Sequence, residues 1–135
     1  MKVLGIDLGD ARTGVAISDE MKFIAQSHGT IYNKDTNDLL SQLEPVIKEN
    51  NVDTVVVGLP KNMNGTIGER GEKAKEFAQI LSEKFGVKTV LWDERLTTVS
   101  AHRVLSEANV RGKKRKKVVD TVSAVFILQC YLDSI

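Results

Sequence analysis

Three places in this 135-residue chain hold a carboxylate where a carboxylate is costly. Asp7 ends the apolar run Val3-Leu4-Gly5-Ile6. Asp93 and Glu94 end the run from Val87 to Trp92. Asp120 sits among Val118, Val119, Val122 and Ala124. Acids in apolar segments are rare unless paired or bound to a cation, because burying a lone charge is strongly unfavourable. If two strand ends meet one helix, these groups can converge in a cleft beyond the strand ends. An all-oxygen set with no His/Cys cluster suits Mg²⁺ or Mn²⁺ rather than zinc. Two such ions, about 3.5–4 Å apart, are a recurring solution for phosphodiester cleavage. Each acid also has a plainer explanation. Asp7 can be a turn residue before Gly9, Asp93 or Glu94 can cap a helix or pair with Arg95, and Asp120 can complement a helix dipole. The joint role is favoured because all three fall at element ends of one plausible cleft. His28 and His102 are the only imidazoles and form no ligand-spaced pair, so surface or structural roles are expected for both.

The second chemical feature is a run of positive charge. Arg111-Gly112-Lys113-Lys114-Arg115-Lys116-Lys117 holds six of the 19 basic residues and no acid, so the other 13 face all 18 acids at a net of −5. A compact basic strip on a mildly acidic body points to contact with a polyanion, against the simpler alternative of a solvated loop.

Elements must position these groups. With 41% apolar and 27% charged residues the chain reads as one globular domain, 1–135, neither disordered nor membrane-spanning. No apolar run reaches the ~20 residues a bilayer requires. The lone Cys130 and the absence of a signal-peptide layout lead to the expectation of a reducing, cytoplasmic setting. Lys2–Leu8, Thr13–Ser18 and Phe23–Tyr32 are three strands joined by short turns, an expected antiparallel meander. A helix capped by Asp35 or Thr36 carries Leu39, Leu40, Leu43, Val46 and Ile47, with Pro45 expected to kink or divide it. The β-branched run Val52–Gly58 suits a buried central strand. A polar loop over Leu59–Gly68 follows, then a helix through Ala74, Phe77, Ala78, Leu81 and Phe85 that Gly86 ends. Val87–Trp92 is the fifth strand. Thr97 or Thr98 can cap a further helix through Val99, Val104, Leu105 and Ala108. After the basic loop, Val118–Leu132 is apolar almost all round and long enough to be a buried helix. The class is α/β: a mixed five-stranded sheet, meander plus parallel strands, flanked by helices.

Four motifs resemble, in order and spacing, those of the YqgF/RuvX family and together run through nearly the whole chain. They are Gly5-Ile-Asp7-Leu-Gly9-Asp-Ala-Arg12-Thr-Gly14-Val-Ala16, Gly58-Leu-Pro60-Lys-Asn-Met63-Asn-Gly65-Thr66, Asp93-Glu94-Arg95-Leu96-Thr97-Thr98-Val-Ser-Ala101 and Lys117-Val-Val-Asp120-Thr-Val-Ser123-Ala124. The resemblance implies an RNase H-like fold related to the RuvC resolvases. It implies a nuclease maturing the 5′ end of precursor 16S rRNA, in a family also described as resolvases of Holliday junctions. Asp7, Glu94 and Asp120 would be its metal-binding catalytic acids, with Asp93 the alternative ligand beside Glu94, and with Mg²⁺ or Mn²⁺, two ions together with substrate. Arg12, Arg95, Lys113, Lys114, Arg115, Lys116 and Lys117 would hold phosphates. The partner is nucleic acid, precursor rRNA favoured over branched DNA, with no membrane and with the protein either a monomer or a homodimer.

Two rivals remain at this stage. A nucleotide-binding phosphotransferase also carries Asp and Gly after its first strand, but clamps nucleotide between two related domains. A non-catalytic RNA-binding assembly factor fits the basic run equally well. It does not explain the acids, which repel a polyanion unless cations intervene. Trp92 and Tyr131 are candidates for base stacking, with core packing the stronger expectation.

Overall fold

The structure is a computed structural model that describes residues 1–9, 11–60, 66–93 and 112–135, with 112–122 described as backbone only. Five strands form one sheet: β1 (Lys2–Asp7), β2 (Arg12–Ser18), β3 (Ala25–Tyr32), β4 (Val52–Leu59) and β5 (Lys88–Asp93). Their order is β3-β2-β1-β4-β5. β1 pairs antiparallel with β2, and β2 with β3, while β1–β4 and β4–β5 are parallel. The expected meander plus parallel strands is therefore present. Among the described residues three helices cover the sheet: α1 (Thr36–Glu49), α2 (Glu69–Phe85) and α3 (Gly112–Ser134). Among the described residues no helix is long and apolar enough to cross a membrane. The helix expected after Thr97 or Thr98 lies outside the described residues.

Strand alternation divides the core in two. Leu4, Ile6, Val15, Ile17, Val55 and Val57 face α1 and α2, while Val3, Ala16 and Val56 face α3. Val55, Val56 and Val57 are all fully buried, as a central strand covered on both faces requires. Asp35 caps α1 by accepting from Asp38 N at 2.8 Å. Gly86 closes α2 in the left-handed region, φ 68°, its N–H reaching the Ser82 carbonyl.

Three expectations about helices are corrected. Pro45 does not divide α1: the helix is continuous from Thr36 to Glu49. Pro45 and Ser41, whose carbonyl loses its helical partner, are both exposed, which leaves that carbonyl open to hydration. The basic run is not a loop. Gly112–Lys117 forms the first turns of α3, a 23-residue helix about 34 Å long. Toward its C-terminal end α3 is not buried all round. Ser123, Ala124, Ile127, Leu128 and Leu132 form one buried stripe at helical spacing, with half-buried residues on either side.

Candidate functional site

The first motif spans the exit of the central strand β1. Asp7 is the last residue of β1 and stands opposite Gly14 of β2. It shares parity with Val3 and Gly5, so its side chain leaves the sheet on the α3 face. Arg12, two residues before Gly14, shares that face and that end.

Packing sets where α3 lies against this strand. A Cβ at Gly5 would stand 2.7 Å from Leu128 Cβ and 3.1 Å from the Ala124 carbonyl oxygen, so the helix rests directly on β1 backbone. The direction of α3 follows from Gln129. Its Oε1 accepts from Ala25 N at 2.9 Å and its Nε2 donates to the Phe23 carbonyl at 2.9 Å. Ala25 pairs with Ser18, and Ser18 Oγ accepts from Val3 N at 2.8 Å. Residue 129 is thus level with the start of β1, and 124–128 with its middle. Earlier residues of α3 run toward the exit at Asp7. Position 120 lies one turn before Ala124, about 6 Å along the axis, and Asp7 lies about 6.6 Å beyond Gly5 along the strand. Backbone geometry therefore brings Asp7 and position 120 to one level, with residues 113–117 reaching further out past the same end. Asp120 is in the third turn of α3, too deep for the helix dipole to account for an acid there.

At β5 the register separates the two neighbouring acids. Leu59 pairs with Asp93 and Gly58 with Trp92. Trp92 packs in the α3-side cluster, so alternation turns Asp93 to the other face, away from that of Asp7. Glu94, Arg95 and Arg111 lie outside the described residues, as do the side chains of Lys113, Lys114, Arg115, Lys116, Lys117 and Asp120. Among the described residues no three His, Cys, Asp or Glu side chains group to hold a metal ion. Trp92 and Tyr131 pack edge to face, ring centroids 6.2 Å apart at 88°, as core residues do. His28 is exposed on β3, at a bulge where Val15 pairs with Gly29 and Ala16 with Ser27.

The same end of the sheet carries a feature with no local signature in the sequence. A cleft of about 330 Å³ opens on the α1/α2 side, beside Leu8 and Gly9 and between Asn33 and the α2 residues Arg70, Lys73 and Phe77. Its lining comes from three separate stretches of the chain, 8–9, 33–39 and 70–80, so no local motif could signal it.

Comparison with known proteins identifies the family and the fold. The model of the family described as RuvX: Holliday junction resolvase matches residues 1–134. A Clostridium novyi protein named "Putative pre-16S rRNA nuclease" is 50% identical over 135 residues, covering 100% of both chains. A Bacillus subtilis protein of the same name is 51% identical, covering 100% of this chain and 99% of its own. Among solved structures, T. thermophilus RuvC in complex with a Holliday junction substrate superposes with a TM-score of 0.62 at 14% identity, covering 99% of this chain and 95% of that one. The fowlpox virus Holliday junction resolvase gives 0.63 at 13% identity over 100% of both chains. At such identities these two structures speak for the fold alone, which is RNase H-like.

Proposed function

We propose that this chain, which belongs to the RuvX family, is a divalent-metal-dependent nuclease of structured nucleic acid that processes the 5′ end of precursor 16S rRNA. The observation that carries the proposal is the run of α3 antiparallel to β1. It supports bringing Asp120 alongside Asp7 at a strand exit, with a strip of positive charge beyond them. Parity along β5 favours Glu94 over Asp93 as the third acid, because Asp93 turns to the opposite face from Asp7. The rRNA substrate is favoured by the names of the relatives near 50% identity over their full length. Work on precursor rRNA implies a cytoplasmic setting.

The donor set fits hard cations: Asp7, Glu94 and Asp120 offer only carboxylate oxygen, the preference of Mg²⁺ and Mn²⁺. When bound, such ions supply an activated water and neutralise charge on the leaving oxygen. The chain's own part is to hold and orient. Asp7 is fixed by the β1–β2 ladder and Asp120 by the contact of α3 with Gly5. Arg12, Arg95 and Lys113–Lys117 draw the phosphodiester backbone against a site whose acids alone would repel it. That repulsion is the physical reason for preferring an enzyme to a passive RNA-binding factor.

The test is cleavage of precursor 16S rRNA and of four-way DNA with Mg²⁺ or Mn²⁺. Wild type, Asp7→Asn and Asp120→Asn are compared, with binding measured in parallel. Each variant should lose activity by well over about 100-fold, since even partners that only support metal ligands are worth about 10–100-fold. Binding should hold or tighten as negative charge is removed. An Asp7→Asn protein that cuts like wild type sinks the assignment.

A further inference from the structure

We infer that the cleft on the α1/α2 side of the Asp7 end binds one unpaired nucleotide of the substrate. Its base lies against the exposed side chain of Ile80, above a floor closed by Leu39 and Phe77, and its phosphate faces Arg70 and Lys73. The inference rests on the nuclease proposal and adds to it a subsite on the opposite face of the sheet from α3.

Size and place come first. At about 330 Å³ the cleft is at the small end of ligand sites, right for one nucleotide rather than a duplex. Leu8 and Gly9 on its wall follow Asp7 directly in the chain, so a strand lying at the carboxylates can drop a neighbouring nucleotide into it. The floor is rigid: Leu39 and Phe77 are 1% and 2% exposed and belong to the main core.

The rim then narrows the chemistry. Ile80, 36% exposed, is the one large apolar side chain that α2 leaves to solvent, on a helix whose other exposed positions are charged or polar apart from the residues at its ends. Ile80 offers apolar contact to the face of a base, and the buried Leu39 and Phe77 beneath keep the floor of the cleft apolar. Arg70 and Lys73, three residues apart on α2, both line the cleft, and the Lys73 ammonium stands 4.0 Å from Glu69 Oε1. Asp35 and Glu76 line it too, so the rim tolerates one phosphate and disfavours a polyphosphate, while offering acceptors to base amino groups. The position of Arg70 is fixed from below. A Cβ at Gly71 would meet Ile67 Cγ2 and would stand 2.9 Å from the Pro60 carbonyl oxygen, so only glycine lets the first turn of α2 seat against the exit of β4.

The experiment has two arms on the full-length chain. In the first, metal-free protein is titrated with AMP, CMP and, separately, inorganic phosphate, followed by NMR. The nucleotides should shift resonances of Gly9, Leu39, Phe77 and Ile80 saturably, with phosphate alone far weaker. Ile80→Glu and Arg70→Glu, both at exposed positions and checked by an unchanged melting temperature, should each weaken binding by about tenfold, the worth of one buried apolar or charge-assisted contact. Saturating nucleotide that leaves these residues unmoved, or phosphate that binds as tightly as AMP, overturns the subsite. In the second arm, kcat/KM is measured on substrates with and without unpaired nucleotides beside the cut. Ile80→Glu should lower it only on the former. If Asp7→Asn abolishes cutting while Ile80→Glu changes neither substrate, the subsite is wrong and the nuclease stands. If wild type cuts nothing, the first arm still decides whether the cleft takes a nucleotide.

Discussion

Gly5→Ala tests the packing that holds the two halves of the site together. The added methyl would stand 2.7 Å from Leu128 Cβ, about 0.8–1.3 Å inside the ordinary carbon–carbon separation. It would also stand 3.1 Å from a backbone oxygen, that of Ala124. Neither atom can rotate away, so α3 itself must shift. Overpacking of this kind costs about 1–3 kcal/mol, and the smaller unfolded-state entropy of alanine offsets about 0.4–1 kcal/mol of it. A net loss near 2 kcal/mol is expected, because the clash is with helix framework rather than a flexible side-chain tip. With an unfolding entropy of about 0.28 kcal/mol/K for a chain of this length, the melting temperature should fall by about 7 °C. Activity should fall further than stability explains. Displacement of α3 by most of an ångström moves position 120 relative to Asp7, and misplacement of that order costs about 100-fold in rate. Thermal unfolding by circular dichroism, with cleavage assayed well below the transition, reads both effects. Leu128→Ala should not rescue the variant, since alanine keeps the Cβ that clashes. A melting temperature equal to or above wild type with full activity would refute the close packing of α3 on β1.

Other expectations follow from the same geometry. Replacing Lys113, Lys114, Arg115, Lys116 and Lys117 by Gln should weaken RNA binding and flatten its dependence on log salt by about 0.7–0.9 for each phosphate no longer neutralised; an unchanged slope removes this end of α3 from the interface. Pro45→Ala should restore a bond to the exposed Ser41 carbonyl and raise stability by about 1 kcal/mol or more in a denaturant titration; a loss would mean that the ring packs. The Asp19 carboxyl is held below its ordinary pKa by the N–H groups of Ile24, at 3.0 Å, and Phe23, at 2.8 Å. With the folded value depressed, its contribution to the β2–β3 turn is present above the ordinary carboxylate range and is lost as pH falls through the folded pKa. The Ile24 amide shift should therefore titrate below the usual Asp midpoint and lose that titration in Asp19→Ala. A midpoint at or above the usual value contradicts the turn geometry.

Much of this architecture is written locally. The β-branched run at Val52–Gly58, the cap at Asp35 and the glycine at 86 each act within a few residues, so sequence alone yields five strands, their meander and two of the helices nearly to the residue. Acids in apolar segments flagged Asp7 and Asp120 because an unpaired buried charge is expensive in any fold. Charge clustering located the basic run but not its conformation. Lys and Arg suit loop and helix alike, and the run is helical because it continues an element anchored farther on by Ala124, Leu128 and Gln129. Pro45 shows the same limit, since its cost depends on whether the orphaned carbonyl meets water. The face Asp93 takes was also beyond sequence, because it depends on which side of the sheet Trp92 packs. The cleft beneath Arg70 and Ile80 was the least legible feature, assembled from residues far apart in the chain. Residue types set which groups are costly or reactive. Only the packing of helices across the sheet decides which of them meet, because that depends on contacts between segments distant in sequence.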